Sequence, residues 1–211
     1  MSLTLKKRRI QGQTFTGQTF EKLDLSSMLA FGSTWEGCTF LSCDLSLADF
    51  TNNRLTDCSF YDCDLPLASF RGSTMRLVTF GACRAKKANF SGVHPLDDVR
   101  FTDCKLGDAS FFESTARQIE FKDCDLWHAD LRFIECAQRP IFLKCNLWGA
   151  SVTFGCQFWN GVFDERTCDL FTAMLARVCA DEDKAVVLTH AAGSMMGVVK
   201  RLMDNPEAVE A

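Results

Sequence analysis

From Phe15 onward this 211-residue chain places a bulky apolar residue at every fifth position, and that period excludes most folds at once. An amphipathic helix buries residues three and four apart, and a half-buried strand buries every second one. Neither produces an unbroken spacing of five from Phe15 to Phe90. A second period of twenty lies on top: Phe40 returns as Phe60, Leu45 as Leu65, Phe50 as Phe70, and Trp35 is echoed by Leu55. Five nested in twenty describes a four-sided coil that repeats once per turn.

Read at that period, the centres form four columns. The first is Phe20, Phe40, Phe60, Phe80, Phe101, Phe121, Phe142, Phe163, and the second is Leu25, Leu45, Leu65, Ala85, Leu106, Leu126, Leu147. The third runs Ala30, Phe50, Phe70, Phe90, Phe111, Leu131, Val152, and the looser fourth Trp35, Leu55, Met75, Leu96, Ala116, Cys136, Phe158. Two positions before each centre a smaller residue also repeats. Cys43, Cys63, Cys83, Cys104, Cys124 and Cys145 stand behind the second column, alanines from Ala48 to Ala150 behind the third, and Ser33, Asn53, Ser73 and Ser114 behind the fourth. One large and one small inward residue per side fill a narrow square tube, whose backbone groups bond to the coils on either side. Steps of twenty-one replace twenty between Phe80 and Phe101, Phe121 and Phe142, and Phe142 and Phe163. They place single inserted residues near Ser91–Pro95, Ala137–Pro140 and Phe154–Gly155, at corners beside the fourth column.

Twelve cysteines in a small exported chain would suggest disulfides. Here nine of them keep the five-residue register, and the basic start (Lys6, Lys7, Arg8, Arg9) lacks the apolar run of an export signal. The expectation is reduced thiols used as small core residues in a cytoplasmic protein. No stretch reaches the roughly 18 apolar residues of a membrane span.

After Phe163 the spacing turns helical. Leu170, Phe171, Met174, Leu175 and Val178 share one face, and Met195, Val199 and Leu202 follow the Gly193–Ser194 stop. The expected organisation is a basic arm over 1–10, the coil over 11–163, and a helical segment over 164–211 that covers the open last rung and joins two copies.

Chemistry-bearing patterns are sparse. The tightest cysteine spacing is four intervening residues, set by the pentad rather than by a metal site. His94, His128 and His190 lie in unrelated segments, and no phosphate loop, nucleophile elbow or carboxylate pair occurs. The expectation is no catalytic residue, metal or cofactor. The outward residues remain. Asp44, Asp64 and Asp125 precede second-column centres, with Asp62, Asp103 and Asp123 nearby, as a candidate partner surface. A basic patch of Arg84, Lys86, Lys87 and Lys105 crosses one face, and the outward pair Trp127 and Trp148 is a candidate docking surface for the C-terminal helices. A net acidic coil repels phosphate, so direct nucleic-acid binding is not expected.

The tandem small–polar–Leu/Phe units from Phe15 to about Phe163 resemble the pentapeptide-repeat family, whose fold is a right-handed quadrilateral β-helix. Within it, Cys83-Arg84-Ala85-Lys86-Lys87-Ala88-Asn89-Phe90 and Lys144-Cys145-Asn146-Leu147-Trp148 are similar to segments of the quinolone-resistance Qnr and MfpA group. That resemblance implies a dimeric rod of duplex-like width and negative charge that mimics DNA, binds DNA gyrase or topoisomerase IV, and shields it from a poison. Qnr members project long loops, whereas the insertions here are single residues. The other class consistent with the sequence is a scaffold, regulator or delivered effector with an unrelated protein partner, which the basic patch and the Lys6–Arg9 arm suit better.

Overall fold

The structure is a computed structural model, and it describes residues 9–152, 162–163 and 167. Within them the chain winds as a parallel β-solenoid. Every pairing is parallel and links residues one turn apart, so the period of twenty is the circumference of a coil.

Four ladders run along the rod, one per side. The fourth face carries Thr14–Thr16, Thr34–Glu36, Arg54–Thr56 and Thr74–Arg76. The first carries Thr19–Glu21, Thr39–Leu41, Ser59–Tyr61 and Thr79–Gly81. Further along, these two ladders fuse across their shared corner into the longer strands Leu96–Thr102 and Thr115–Lys122. They part again as Glu135–Cys136 and Ile141–Leu143, and Val162–Phe163 pairs with the latter. The second face is held by single pairings through Asp24, Asp44, Asp64, Arg84, Lys105, Asp125 and Asn146. The third is held in the same way through Arg9, Leu29, Asp49, Ser69, Asn89, Ser110, Asp130 and Ser151. Arg9 is therefore already in the ladder, and Ile10 is buried beneath it.

The inward columns are as the spacing predicts: every described first-column centre from Phe20 to Phe142 is buried. Its rings stack face to face at 4.7 to 5.1 Å, which is the ~4.8 Å strand spacing itself. The third-column rings Phe50, Phe70, Phe90 and Phe111 form a parallel pile, and the two piles meet edge to face, as Phe60 does with Phe70 at 86°. Both contacts suit the ring quadrupole, which favours offset stacks and edge-to-face pairs.

Backbone geometry explains which small residue stands in which column. The corners leading into the third and fourth faces are closed turns, in which Ala48 N–H donates to Leu45 O and Ser73 N–H to Phe70 O, both at 3.0 to 3.1 Å. The third face therefore needs no side-chain acceptor, and alanine suffices. On the fourth face the polar residues bond from rung to rung. Asn53 Oδ1 accepts the Ser33 N–H at 2.7 Å, Ser73 Oγ accepts the Asn53 N–H at 3.0 Å, and the Ser73 hydroxyl donates to Phe50 O at 2.7 Å. On the second face the thiols take that role. Cys63 receives the backbone of Cys43, Cys83 that of Cys63, and each S–H leans on a carbonyl of the previous coil. At the last described rung Thr167 replaces the next cysteine, its Oγ1 accepting the Cys145 N–H at 2.9 Å.

Two of the three insertions are located, and both fall where the steps of twenty-one place them. His94 N–H still donates to Ser73 O in the regular register, but Met75 N–H reaches Pro95 O, one residue further than usual. The extra residue therefore lies at His94–Pro95. Gln138 N–H pairs regularly with Arg117 O, whereas Ile141 stands opposite Glu120, which confines the second insertion to 139–140. Phe142 stands opposite Phe163, so the third step is also twenty-one, with its site among 153–161, outside the described residues. The expected helical faces, Leu170, Phe171, Met174, Leu175, Val178, Met195, Val199 and Leu202, also lie outside the described residues.

Candidate partner-binding surface

With the interior filled, the outward chemistry sits on the corners and on one residue per face. The second residue after most centres adopts the left-handed conformation, with φ of 51–57° at Asp57, Asp62, Asp98, Asp103, Asp108 and Asp123. Asp and Asn tolerate that region better than other side chains. The residue before a centre performs a second corner task. Asp24, Asp44, Asp49, Asn89, Asp125, Asp130 and Asn146 each accept the backbone N–H two residues on, at 2.8 to 3.3 Å. Much of the acidic character of the rod is thus the chemistry of turning a corner.

The six aspartates singled out from the sequence do come together, on the second face and the corner before it. Asp44 and Asp125 are among the corner acceptors, and Asn146 Nδ2 donates to Asp125 at 2.9 Å. Asp64 is held by Arg84 through two hydrogen bonds, one of them from Nη2 at 2.6 Å. The guanidinium keeps its carboxyl below the usual range, despite slight burial acting the other way. Asp62 accepts from Ser42 Oγ at 3.1 Å. Asp103 and Asp123 are exposed, and their carboxylates have no ion pair or hydrogen bond among the described residues. Ala82, Arg84 and Lys105 interrupt the run, so the acidic surface is two patches rather than one stripe.

Trp127 is exposed and stacks on the His128 ring, with centroids 3.9 Å apart and planes 11° apart. Trp148, one coil on, is half-buried. Leu47 and Leu67 stand on one corner, 56% and 52% exposed, both with left-handed backbone.

The nine described cysteines are buried thiols without a disulfide. Shared hydrogen bonds split neighbouring pairs. Cys83 and Cys124 are pushed far up, first by the bonds to their neighbours and then by burial, while Cys63 and Cys104 are lowered by the same bonds. Burial in an apolar core acts on all of them in the direction of the neutral thiol. Among the described residues no cluster of His, Cys, Asp or Glu is arranged to hold a metal, and no helix is long and apolar enough to cross a membrane.

Sequence reading missed that Lys86, Gly107 and Trp127 share one corner row with Lys87 and His128 beside them. The signal was the register itself, with a glycine between a lysine and a tryptophan at one-turn steps.

Residues 33–95 match the family model described as a pentapeptide repeat region. No curated protein matches the chain. Among solved structures the chain is similar to full-length QnrB1, a plasmid-mediated fluoroquinolone resistance protein, at 18% identity over 81% of this chain and 99% of that one, with a TM-score of 0.35. It is also similar to HetL, a pentapeptide repeat protein involved in heterocyst differentiation regulation from the cyanobacterium Nostoc sp. strain PCC 7120. That match has 14% identity over 70% and 86% of the two chains and a TM-score of 0.34. A third is a pentapeptide repeat protein of the Arabidopsis thaliana thylakoid lumen, at 20% identity over 53% and 70%, with a TM-score of 0.24. None of these likenesses bears on what this chain binds. Residues 33–95 are thus a pentapeptide repeat region, and the same register of pairing continues on either side of it from Arg9 to Ser151.

Proposed function

We propose that this chain is a non-enzymatic rod that acts by presenting its outer surface to a protein partner. The observation that carries the reading is that the inward columns are consumed by packing, leaving only corner and face residues to meet anything else. The favoured partner is a type II topoisomerase, DNA gyrase or topoisomerase IV, bound by a cytoplasmic right-handed rod that mimics duplex DNA and shields the enzyme from quinolone-like or natural-product inhibitors. The exposed carboxylates of Asp62, Asp103 and Asp123 and the resemblance of residues 83–90 and 144–148 to Qnr segments support it. In this reading the 164–211 segment joins two copies. QnrB1 is itself a fluoroquinolone resistance protein. The test is purified full-length protein in a gyrase supercoiling assay with and without a fluoroquinolone. Inhibition or protection is expected, and the absence of both, together with no gyrase pull-down, rejects the topoisomerase partner.

A second reading, a scaffold or regulatory module with an unrelated protein partner, draws on one specific observation: Asp44 and Asp125 accept corner N–H groups and Asp64 is paired with Arg84. Three of the six aspartates thus have structural work, which weakens an argument from acidity alone.

A further inference from the structure

We infer that the corner formed by Lys86, Lys87, Trp127 and His128, with Arg84 and Lys105 on the adjoining second face, docks an extended acidic segment of a protein partner. The inference does not depend on the topoisomerase reading.

Four cations fall on two successive coils. Arg84 and Lys105 are neighbours in one ladder, and Lys86 and Lys87 fill the corner after Arg84. Arg84 is already engaged by Asp64, and Lys86 Nζ lies 3.9 Å from Asp108. Lys87 and Lys105 are exposed and have no ion pair among the described residues. Two unpaired ammonium groups side by side on a chain of net charge −4 concentrate a local positive potential.

Beside them lies a supported aromatic surface. Gly107 carries no side chain, and the Trp127 ring covers that gap: a Cβ at Gly107 would lie 3.9 Å from Trp127 Cε3. Lys86 Nζ stands 6.0 Å from the same ring, within cation–π reach. His128 stacks on Trp127 and fills the space at Gly149, where a Cβ would come within 2.0 Å of its ring. The indole is thus packed among its neighbours while remaining 38% exposed. A packed yet exposed tryptophan is the kind of residue that anchors an interface, and the lysines beside it set the charge of the segment it accepts.

An extended segment repeats side chains on one side every ~7 Å against a coil spacing of about 4.8 Å, a difference that long lysine side chains span, so successive carboxylates meet cations on neighbouring coils while an apolar side chain covers the indole. A nucleic acid fits less well. Its charges, one per about 1.7 Å of duplex, run past the patch onto Asp125, the next residue after Lys105 in the same ladder, and onto the corner before it, where Asp62, Asp103 and Asp123 stand.

The test uses the full chain and a short fluorescent peptide alternating glutamate with alanine and phenylalanine. A control peptide carries glutamine for glutamate, and a labelled oligothymidine has the same charge. Saturable, salt-weakened binding of the glutamate peptide is expected. Lys87→Glu with Lys105→Glu should weaken it by about tenfold or more, and Trp127→Ala by a smaller factor, with melting temperatures kept. Should the double variant fail to fold, Lys105→Gln alone must shift the affinity in the same direction. No saturable binding, equal binding of the glutamine peptide, unchanged affinity in the charge variants, or tighter binding of oligothymidine overturns the inference.

Discussion

The first and fourth faces are built from the same five-residue unit and are held together by different means. On the first face identical rings pile from Phe20 to Phe142 with interplanar angles of 19° or less. On the fourth the centres dwindle from Trp35 through Leu55 and Met75 to Ala116, and Ser33, Asn53 and Ser73 link the rungs. Its polar ladder is also incomplete: Trp35 Nε1 and Asn53 Nδ2 are buried without a hydrogen-bond partner among the described residues. Both located insertions bracket this face, at His94–Pro95 and 139–140. The lesson is that a pile of planar rings admits one spacing, whereas aliphatic centres and side-chain oxygens accept a shifted backbone. Irregularity collects where the packing is least particular.

Shortening a corner is the harshest way to break this contrast. Removing one residue at Tyr61–Asp62 throws every later inward residue out of register, and the variant is expected to lose cooperative unfolding by circular dichroism. Replacing His94–Pro95 by a single residue restores a regular coil, and chemical denaturation should place it within about 1 kcal/mol of the parent. Next in size, Phe80→Asp buries an unpaired charge in the ring pile and should unfold the neighbouring coils. Apolar truncation is graded: Phe60→Ala should cost about 3–5 kcal/mol and Met75→Ala about 2–3 kcal/mol, and equal losses would erase the distinction between the faces. Ser73→Ala removes the acceptor of the Asn53 N–H and the donor to Phe50 O, a loss of about 1–3 kcal/mol. Cys63→Ala, whose S–H contacts to carbonyls are 3.3 and 3.5 Å, should cost less in the same denaturation experiment.

The smallest effect is one of pH. The Arg84 hydrogen bonds lower Asp64. At Asp130 burial pulls upward, but hydrogen bonds and charge from Arg132 outweigh it. Both carboxyls titrate lower in the folded chain than in the unfolded one. Their stabilisation is therefore present above the unfolded value near ~3.9 and fades as pH falls through the lower folded values. The guanidinium partners are largely exposed, so screening holds each contribution to about 0.5 kcal/mol or less. Arg84→Met should flatten the acid limb of a pH–stability curve by that amount, and an unchanged curve would dismiss the pair as a stabilising element.

Columns, insertions and the row of Ser33, Asn53 and Ser73 behind the fourth face were legible in the sequence, because a period of twenty maps residue number directly onto position around the coil. The thiols were legible only as small residues. That Cys63 meets the backbone of Cys43 depends on which corners close by an internal hydrogen bond, and spacing carries no trace of that. The same holds for the acidic surface. Asp44 and Asp103 look alike in the sequence, yet one accepts a corner N–H and the other stands free of side-chain partners in the described rod. The fusion of two faces at Leu96–Thr102 and Thr115–Lys122 also left no signal, since the columns pass through it unchanged.

Every ladder pairing among the described residues joins positions twenty or twenty-one apart. Seen as a polymer, the rod is a one-dimensional array in which each coil touches only its neighbours. Its contacts are close in sequence, which favours growth coil by coil over a global search. Damage is confined in the same way. A coil that fails separates the rod into two shorter arrays, each with its own ring pile, so limited proteolysis of an injured chain should release stubs that end at coil boundaries rather than a continuum of fragments.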